Sequence, residues 1–249
     1  MLTISVLETP APIAPGGIAG NVAVVIDVLR ATSSIATAIS SGCRAVIPAG
    51  SRDEALCLRA THPEALLGGE IGGKKIDGFD LGNSPADFTR QAVEGREVIM
   101  STSNGTKAIL AARKGGANPI FTSSFLNLRA VARRVWAEMS AGKKDLTVVC
   151  SGSRGRPSLE DFSCAGALAE AVLDLASARS PALDDTAKRA VQVFQNYKGN
   201  IIGIFEASPH GRDLQEMGFG EDLRRCASLD SLDVVPVFNG TAIVALSQR

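Results

Sequence analysis

The stretch Val22-Ala-Val-Val-Ile-Asp-Val-Leu-Arg-Ala-Thr-Ser-Ser34 decides the fold. Its first five residues are an unbroken apolar run. Such a run without polar alternation suits a strand buried on both faces. The strand delivers Asp27 at its end, then Arg30, Thr32, Ser33 and Ser34. Ile35, Ala36, Ala38 and Ile39 follow at helical spacing. The order is therefore buried strand, polar turn, helix start. In open α/β sheets ligands bind at that junction, outside the carboxyl ends of the strands. A carboxylate, a guanidinium and several hydroxyls there suit a phosphate held with a metal. They equally suit a helix capped by Thr32 or Ser33 beside a structural Asp27–Arg30 ion pair. For this stretch alone both readings stand.

Two later stretches repeat the pattern. The strand Glu97–Met100 leads into Ser101-Thr-Ser-Asn-Gly-Thr106 and a helix over Lys107–Arg113. The strand Asp145–Cys150 leads into Ser151-Gly-Ser-Arg-Gly-Arg-Pro157 and a long helix, capped at Ser158, reaching about position 178. Backbone N–H groups at such helix starts form anion sites. Before both lies a glycine-rich connection from Gly69 to Gly82, read as a functional loop after a short strand Ala65–Leu67. It ends at Asn83-Ser84-Pro85, where Ser84 is an N-cap and Pro85 suits the first helical position. Leu2–Leu7 and Arg44–Pro48 read as further strands, and Ser51-Arg-Asp-Glu54 as a capping box. Positions 180–186 break the pattern, the chain to Leu229 is mainly helical, and Val234–Phe238 and Ala242–Leu246 read as closing strands. The fold class expected is α/β, three layers, with a largely parallel or mixed sheet and helices on both faces. One domain over residues 1–249, with a mainly helical sub-region at about 158–230, is the simplest organisation.

The 249 residues are 45% hydrophobic, enough for a full core, and carry 26 basic and 26 acidic side chains. That balance leaves no footprint for nucleic acid or an anionic membrane. Five cysteines without a C-x-x-C pair argue against a disulfide framework or a structural zinc. No stretch reaches membrane-span length, and the N-terminus lacks a basic segment before an apolar one, so a cytoplasmic protein is expected. Apolar helix faces are compatible with a homo-oligomer.

Three hydroxyl- and amide-rich turns beside Asp27, Glu70, Glu160 and Asp161 are chemically complete for magnesium-assisted phosphoester hydrolysis. Two other phosphatase patterns come close. An aspartyl phosphatase needs a second Asp two residues after the first, and here that residue is Leu29. Cys150, five residues and Arg156 match the spacing of cysteine phosphatases, but Pro157 delays the helix, and a buried inert cysteine is the default. His62 sits at a helix end. His210, in Ser208-Pro-His-Gly-Arg212, reads either as a general acid or as a helix-start residue without a chemical role.

With these residues in view, the chain resembles the 2-phosphosulfolactate phosphatase family over nearly its whole length. The resemblance rests on Ile26-Asp-Val-Leu-Arg-Ala-Thr-Ser33, Gly69-Glu70, Gly78-Phe-Asp-Leu-Gly-Asn-Ser-Pro85, Thr102-Ser-Asn-Gly-Thr106, Ser158-Leu-Glu-Asp161 with Cys164-Ala-Gly166, and Ser208-Pro-His-Gly-Arg212 with Asp222. It implies a magnesium-dependent hydrolase that converts 2-phospho-3-sulfolactate to 3-sulfolactate and phosphate on a route to coenzyme M. In such sequences Gly69-Glu70 is followed by Arg, whereas this chain has Ile71, with Lys74 and Lys75 nearby.

The expected site follows. Asp27 and Glu70, with Asp161 third, hold Mg2+ and act with Arg30 in catalysis. Arg30, Thr32, Ser33, Asn104, Gly105 and Thr106 hold the phosphoryl group, Asn83 and Ser84 line the substrate, and Arg154 and Arg156 hold its carboxylate or sulfonate. The nucleophile is water, or Asp27 through a phospho-aspartate. The competing readings are a non-catalytic module that binds a phosphorylated small acid, and a cysteine-dependent phosphatase using Cys150.

Overall fold

The computed structural model describes residues 1–177 and 180–246. Its strands are β1 (Thr3–Leu7), β2 (Val22–Ile26), β3 (Ala45–Ala49), β4 (Leu66–Ile71), β5 (Lys74–Lys75), β6 (Glu97–Ser101), β7 (Ile120–Ser123), β8 (Leu146–Cys150), β9 (Ala182–Leu183), β10 (Pro236–Phe238) and β11 (Ile243–Ala245). Its α-helices are α1 (Ala31–Ser40), α2 (Arg52–Thr61), α3 (Arg90–Val93), α4 (Gly105–Lys114), α5 (Leu128–Gly142), α6 (Leu159–Ala176), α7 (Asp185–Tyr197), α8 (Ile201–Ala207), α9 (Pro209–Glu216) and α10 (Gly220–Cys226). The strands form one mixed sheet in the order β5-β4-β6-β3-β11-β10-β7-β2-β8-β1-β9.

β2 lies inside this sheet, paired in parallel with β7 and β8. Val22, Val24 and Ile26 pack on one face with Val131 and Val135 of α5 and Leu168 and Val172 of α6. Ala23 and Val25 pack on the other with Ile35 and Ile39 of α1 and Ala108 and Ile109 of α4. Both faces are covered, which is why the strand reads as continuous rather than alternating. Each fully buried Val or Ile there contributes roughly 1.5–3 kcal/mol.

Two parallel blocks, β4-β6-β3 and β7-β2-β8-β1-β9, are joined through the closing hairpin β10–β11. The three pairings across that hairpin, β3 with β11, β11 with β10 and β10 with β7, are all antiparallel. The blocks therefore run in opposite directions. The site draws on the carboxyl ends of strands from both: β2 and β8 from one, β4 and β6 from the other.

The expected order of elements holds, with three corrections. β4 does not stop at Leu67 but runs through Glu70 to Ile71, so the glycine-rich connection begins as a hairpin. Gly72 and Gly73, at φ +60° and +88°, form its two-residue turn. Two positive φ values in succession are what a type I′ turn demands and what glycine supplies without strain. Second, α4 starts at Gly105, two residues earlier than the apolar spacing suggests. Third, the break after α6 contains β9, which pairs with β1. The expected end of α6 near position 178 lies outside the described residues.

Candidate active site

One cavity of about 190 Å³ collects the strand-end residues. Asp27, Leu29 and Arg30 line it from the β2–α1 turn, Glu70, Gly72 and Gly73 from the β4–β5 hairpin, and Ser103 and Asn104 from the β6–α4 turn. Asn83, Ser153, Arg154, His210 and Asp213 complete its polar wall.

Asp27 is buried, and its Oδ1 accepts from the Ala31 N–H at 3.3 Å. Desolvation, reinforced by the nearby Glu70 charge and opposed by His210, pushes its pKa up to about 6. The Glu70 carboxylate is held on both oxygens. Oε1 accepts from the Ser103 N–H at 2.7 Å, and Oε2 accepts from the Gly73 N–H at 2.7 Å and the Ser103 hydroxyl at 3.2 Å. The start of α4 packs directly on Asp27: a β-carbon on Gly105 would lie 2.7 Å from Asp27 Oδ2 and 2.6 Å from the Ala31 β-carbon. Only glycine lets this helix start approach so closely.

Arg30 does not pair with Asp27, which corrects that expectation. Its Nη1 donates to Asp222 Oδ2 at 2.7 Å, its Nη2 donates to the Gly73 carbonyl at 2.6 Å, and its guanidinium carbon lies 4.1 Å from the Phe219 ring centroid. Arg30 is 2% exposed and Asp222 4%. Removing one member of a pair buried this way costs roughly 3–5 kcal/mol, because the other charge is left uncompensated.

Several expected hydroxyl contacts are spent on the fold instead. Thr32 Oγ1 donates to the Asp27 carbonyl at 2.9 Å and accepts from the Asp27 N–H at 3.1 Å. Ser33 Oγ donates to the Val28 carbonyl at 2.8 Å. Thr106 Oγ1 closes the β6–α4 turn by accepting from the Thr102 N–H at 3.1 Å. Ser84 Oγ accepts from the Ala86 N–H at 3.2 Å, as a cap should, and donates to Asp222 Oδ1 at 2.6 Å. These groups shape the turns and leave the lining to others.

The three-carboxylate set is corrected too. Asp161 turns its oxygens to the N–H groups of Val28 at 2.9 Å and Gly152 at 3.0 Å, bracing the β2 and β8 turns against each other. Burial and the charges of Asp27 and Glu160 push its pKa well up. Among the described residues, no three of His, Cys, Asp and Glu gather into a metal-holding group. The carboxylates lining the cavity beside Asn83 are Asp27 and Glu70, with Asp213 at the rim. Asn83 Oδ1 is buried and has no hydrogen-bond partner among the described residues. Two carboxylates and an unpartnered amide oxygen are the hard donors magnesium takes, with water filling the remaining positions, so this lining fits the ion.

Arg154 lines both this cavity and a second one of about 430 Å³, and its Nη2 pairs with Asp213 at 3.1 Å. Arg156 lines only the second, with Ser158 and Glu160. His210 forms part of both walls, and its Nε2 donates to the Leu29 carbonyl at 2.8 Å. Cys150 is fully buried in β8, and burial pushes its thiol well up. It lacks the electropositive, accessible setting of a nucleophilic thiolate, which removes the cysteine mechanism.

A family model described as 2-phosphosulpholactate phosphatase matches residues 7–241. The chain belongs to that family. Among relatives named probable 2-phosphosulfolactate phosphatase, the Symbiobacterium thermophilum protein is 38% identical over 231 residues, spanning 92% of this chain and 96% of its own. The protein of Clostridium perfringens strain SM101 is 40% identical over 228 residues, spanning 90% and 88%. That of Caldanaerobacter subterraneus subsp. tengcongensis is 37% identical over 227, spanning 90% of each.

Five of the blocks that carry the 2-phosphosulfolactate phosphatase resemblance place a residue on the first cavity, at Asp27, Glu70, Asn83, Asn104 and His210, whereas the Ser158–Asp161 block lines the second with Ser158 and Glu160. The departure at Ile71 does not reach it. Ile71 is 63% exposed, and Lys74 and Lys75 in β5 are exposed as well. Among the groups that sequence reasoning left out of the site are Ser103 and Gly73, which line it, and Asp222, which holds Arg30. Gly73 and Ser103 hold Glu70 by backbone N–H groups, which no side-chain pattern reports, and the Ser103 hydroxyl adds a third bond. Asp222 lies 192 residues beyond its partner Arg30.

Proposed function

We propose that this chain is a magnesium-dependent phosphatase that hydrolyses 2-phospho-3-sulfolactate, or a closely related small 2-phospho acid, to 3-sulfolactate and phosphate. One observation carries the reading: Asp27, Arg30, Glu70, Asn83 and Asn104 line a single cavity in a chain of this family. Its volume lies below the roughly 300–1,000 Å³ of sites for drug-sized ligands, which favours a compact substrate.

Arg30 and the start of α4 at Asn104 and Gly105 bind the phosphoryl oxygens, the first by charge and the second by N–H groups at a helix N-terminus. Asp27 and Glu70, with Asn83 Oδ1, would hold the magnesium ion. Held there, magnesium would supply Lewis acidity, offsetting charge on the phosphoryl oxygens and easing deprotonation of water. Water attacks phosphorus and releases a proton to solvent as the bond from phosphorus to the ester oxygen breaks, and the leaving oxygen takes its proton from His210 Nδ1, the Nε2–H staying on the Leu29 carbonyl. Arg154 and Arg156, at and beyond the rim, draw the carboxylate and sulfonate toward the second cavity.

The test is phosphate release from a panel of phosphorylated small acids. Release that is fastest with 2-phospho-3-sulfolactate supports the proposal. Tight binding of the same acids without release identifies a sensor module instead.

A further inference from the structure

The geometry points to Asp222 and Ser84 as positioning residues that hold the Arg30 guanidinium toward the phosphoryl group. The ligand in this statement rests on the phosphatase reading above, whereas the positioning does not.

A guanidinium carries five N–H donors in one plane, so fixing the plane fixes every donor. Asp222 Oδ2 and the Gly73 carbonyl take one donor each, at 2.7 and 2.6 Å, and the Phe219 ring sits against the guanidinium face. The remaining donors are left for the cavity that Arg30 lines. Asp222 is itself held, because its second oxygen accepts the Ser84 hydroxyl at 2.6 Å. Ser84 in turn caps the short 3-10 turn Pro85–Asp87, where it is pinned by the Ala86 N–H. The contacts bring together positions 138 and 192 residues apart along the chain. Gly73 extends the chain of contacts to Glu70, since its N–H donates to Glu70 Oε2 while its carbonyl receives Arg30. Anion-binding donors held in advance do not have to be ordered when the substrate arrives. An unpositioned arginine would lose rotamer freedom at that moment.

A kinetic double-mutant cycle separates positioning from scaffolding. Asp222→Asn is expected to lower kcat/KM about 100-fold with Arg30 present and less than about threefold in an Arg30→Ala background, with kcat falling more than KM rises. Ser84→Ala, which keeps the ion pair, is expected to lower it about tenfold, and Ser84→Thr to restore most of the loss. Equal losses with and without Arg30 overturn the proposal. If Asp222→Asn does not fold, Ser84→Ala carries the same cycle. If the wild-type chain releases no phosphate from any acid tested, the phosphatase reading fails, and the positioning claim is read from Arg30 side-chain 15N resonances. Slowly rotating guanidinium signals in the wild type that average in Ser84→Ala support it. Signals unchanged by that substitution overturn it.

Discussion

Gly105 stands against Asp27 so closely that a single added methyl would meet the carboxylate at 2.7 Å. The contact ties the first residue of α4 to the end of β2, and so joins strand ends from the two oppositely directed blocks of the sheet.

Gly105→Ala is therefore expected to damage activity out of proportion to stability. Alanine inside a helix is ordinarily favoured over glycine by roughly 0.5–1 kcal/mol. Here the new β-carbon also meets the Ala31 β-carbon at 2.6 Å, so α4 must back away from Asp27. A loss of about 100-fold in kcat/KM follows from a misplacement near 1 Å. Steady-state kinetics beside a thermal melt checks it.

Asp27→Asn is expected to abolish turnover while stabilising the chain at neutral pH. The Asp27 pKa is about 6 in the fold against 3.8 unperturbed, so the folded state holds this proton more tightly than the unfolded one. Stability contributed by the neutral carboxyl is complete below pH 3.8 and is lost as pH rises through about 6. The ionised form costs up to about 3 kcal/mol at pH 8, which the amide does not incur. Melts should show a Tm gain of several degrees at pH 8 and none near pH 3.5. The wild-type rate should rise with pH as Asp27 ionises, and bound magnesium should move that limb to lower pH.

Cys150→Ser is expected to retain the hydrolytic rate within about threefold, with a modest loss of stability from a polar group placed in the core. Thiol alkylation of the folded chain should leave the rate intact, because Cys150 is fully buried. Mass spectrometry of the alkylated protein beside its activity is the check.

Arg156→Ala is expected to raise KM about tenfold for a substrate carrying a second anionic group, and to change little for a phosphomonoester without one. Arg156 lines the second cavity and not the first. Comparing 2-phospho-3-sulfolactate with an alkyl phosphomonoester that carries no carboxylate or sulfonate reads the difference.

Much of this architecture is legible in the residues. Val22–Ile26 is apolar throughout because helices cover both faces of the sheet, and that one fact yields the strand, the turn and the location of Asp27. Asn83 and Asn104 were legible as polar residues at the ends of turns, and Glu70 as the acid that a short strand delivers. Thr32, Ser33 and Thr106 were not, because a hydroxyl near a helix start bonds to its own backbone as readily as to a ligand. Asp161 misleads for a similar reason: a carboxylate in a first helical turn also suits neighbouring N–H groups, and here it braces Val28 and Gly152. The Arg30–Asp222 pair depends on how two distant segments pack, which local spacing does not encode.

The most direct test is phosphate release from 2-phospho-3-sulfolactate by the purified chain, measured with magnesium, after removal of the metal by a chelator, and after magnesium is restored. The account predicts turnover that disappears with the chelator, returns with magnesium, and is lost in both Asp27→Asn and Glu70→Gln. Turnover indifferent to magnesium, or undiminished in both variants, would contradict it.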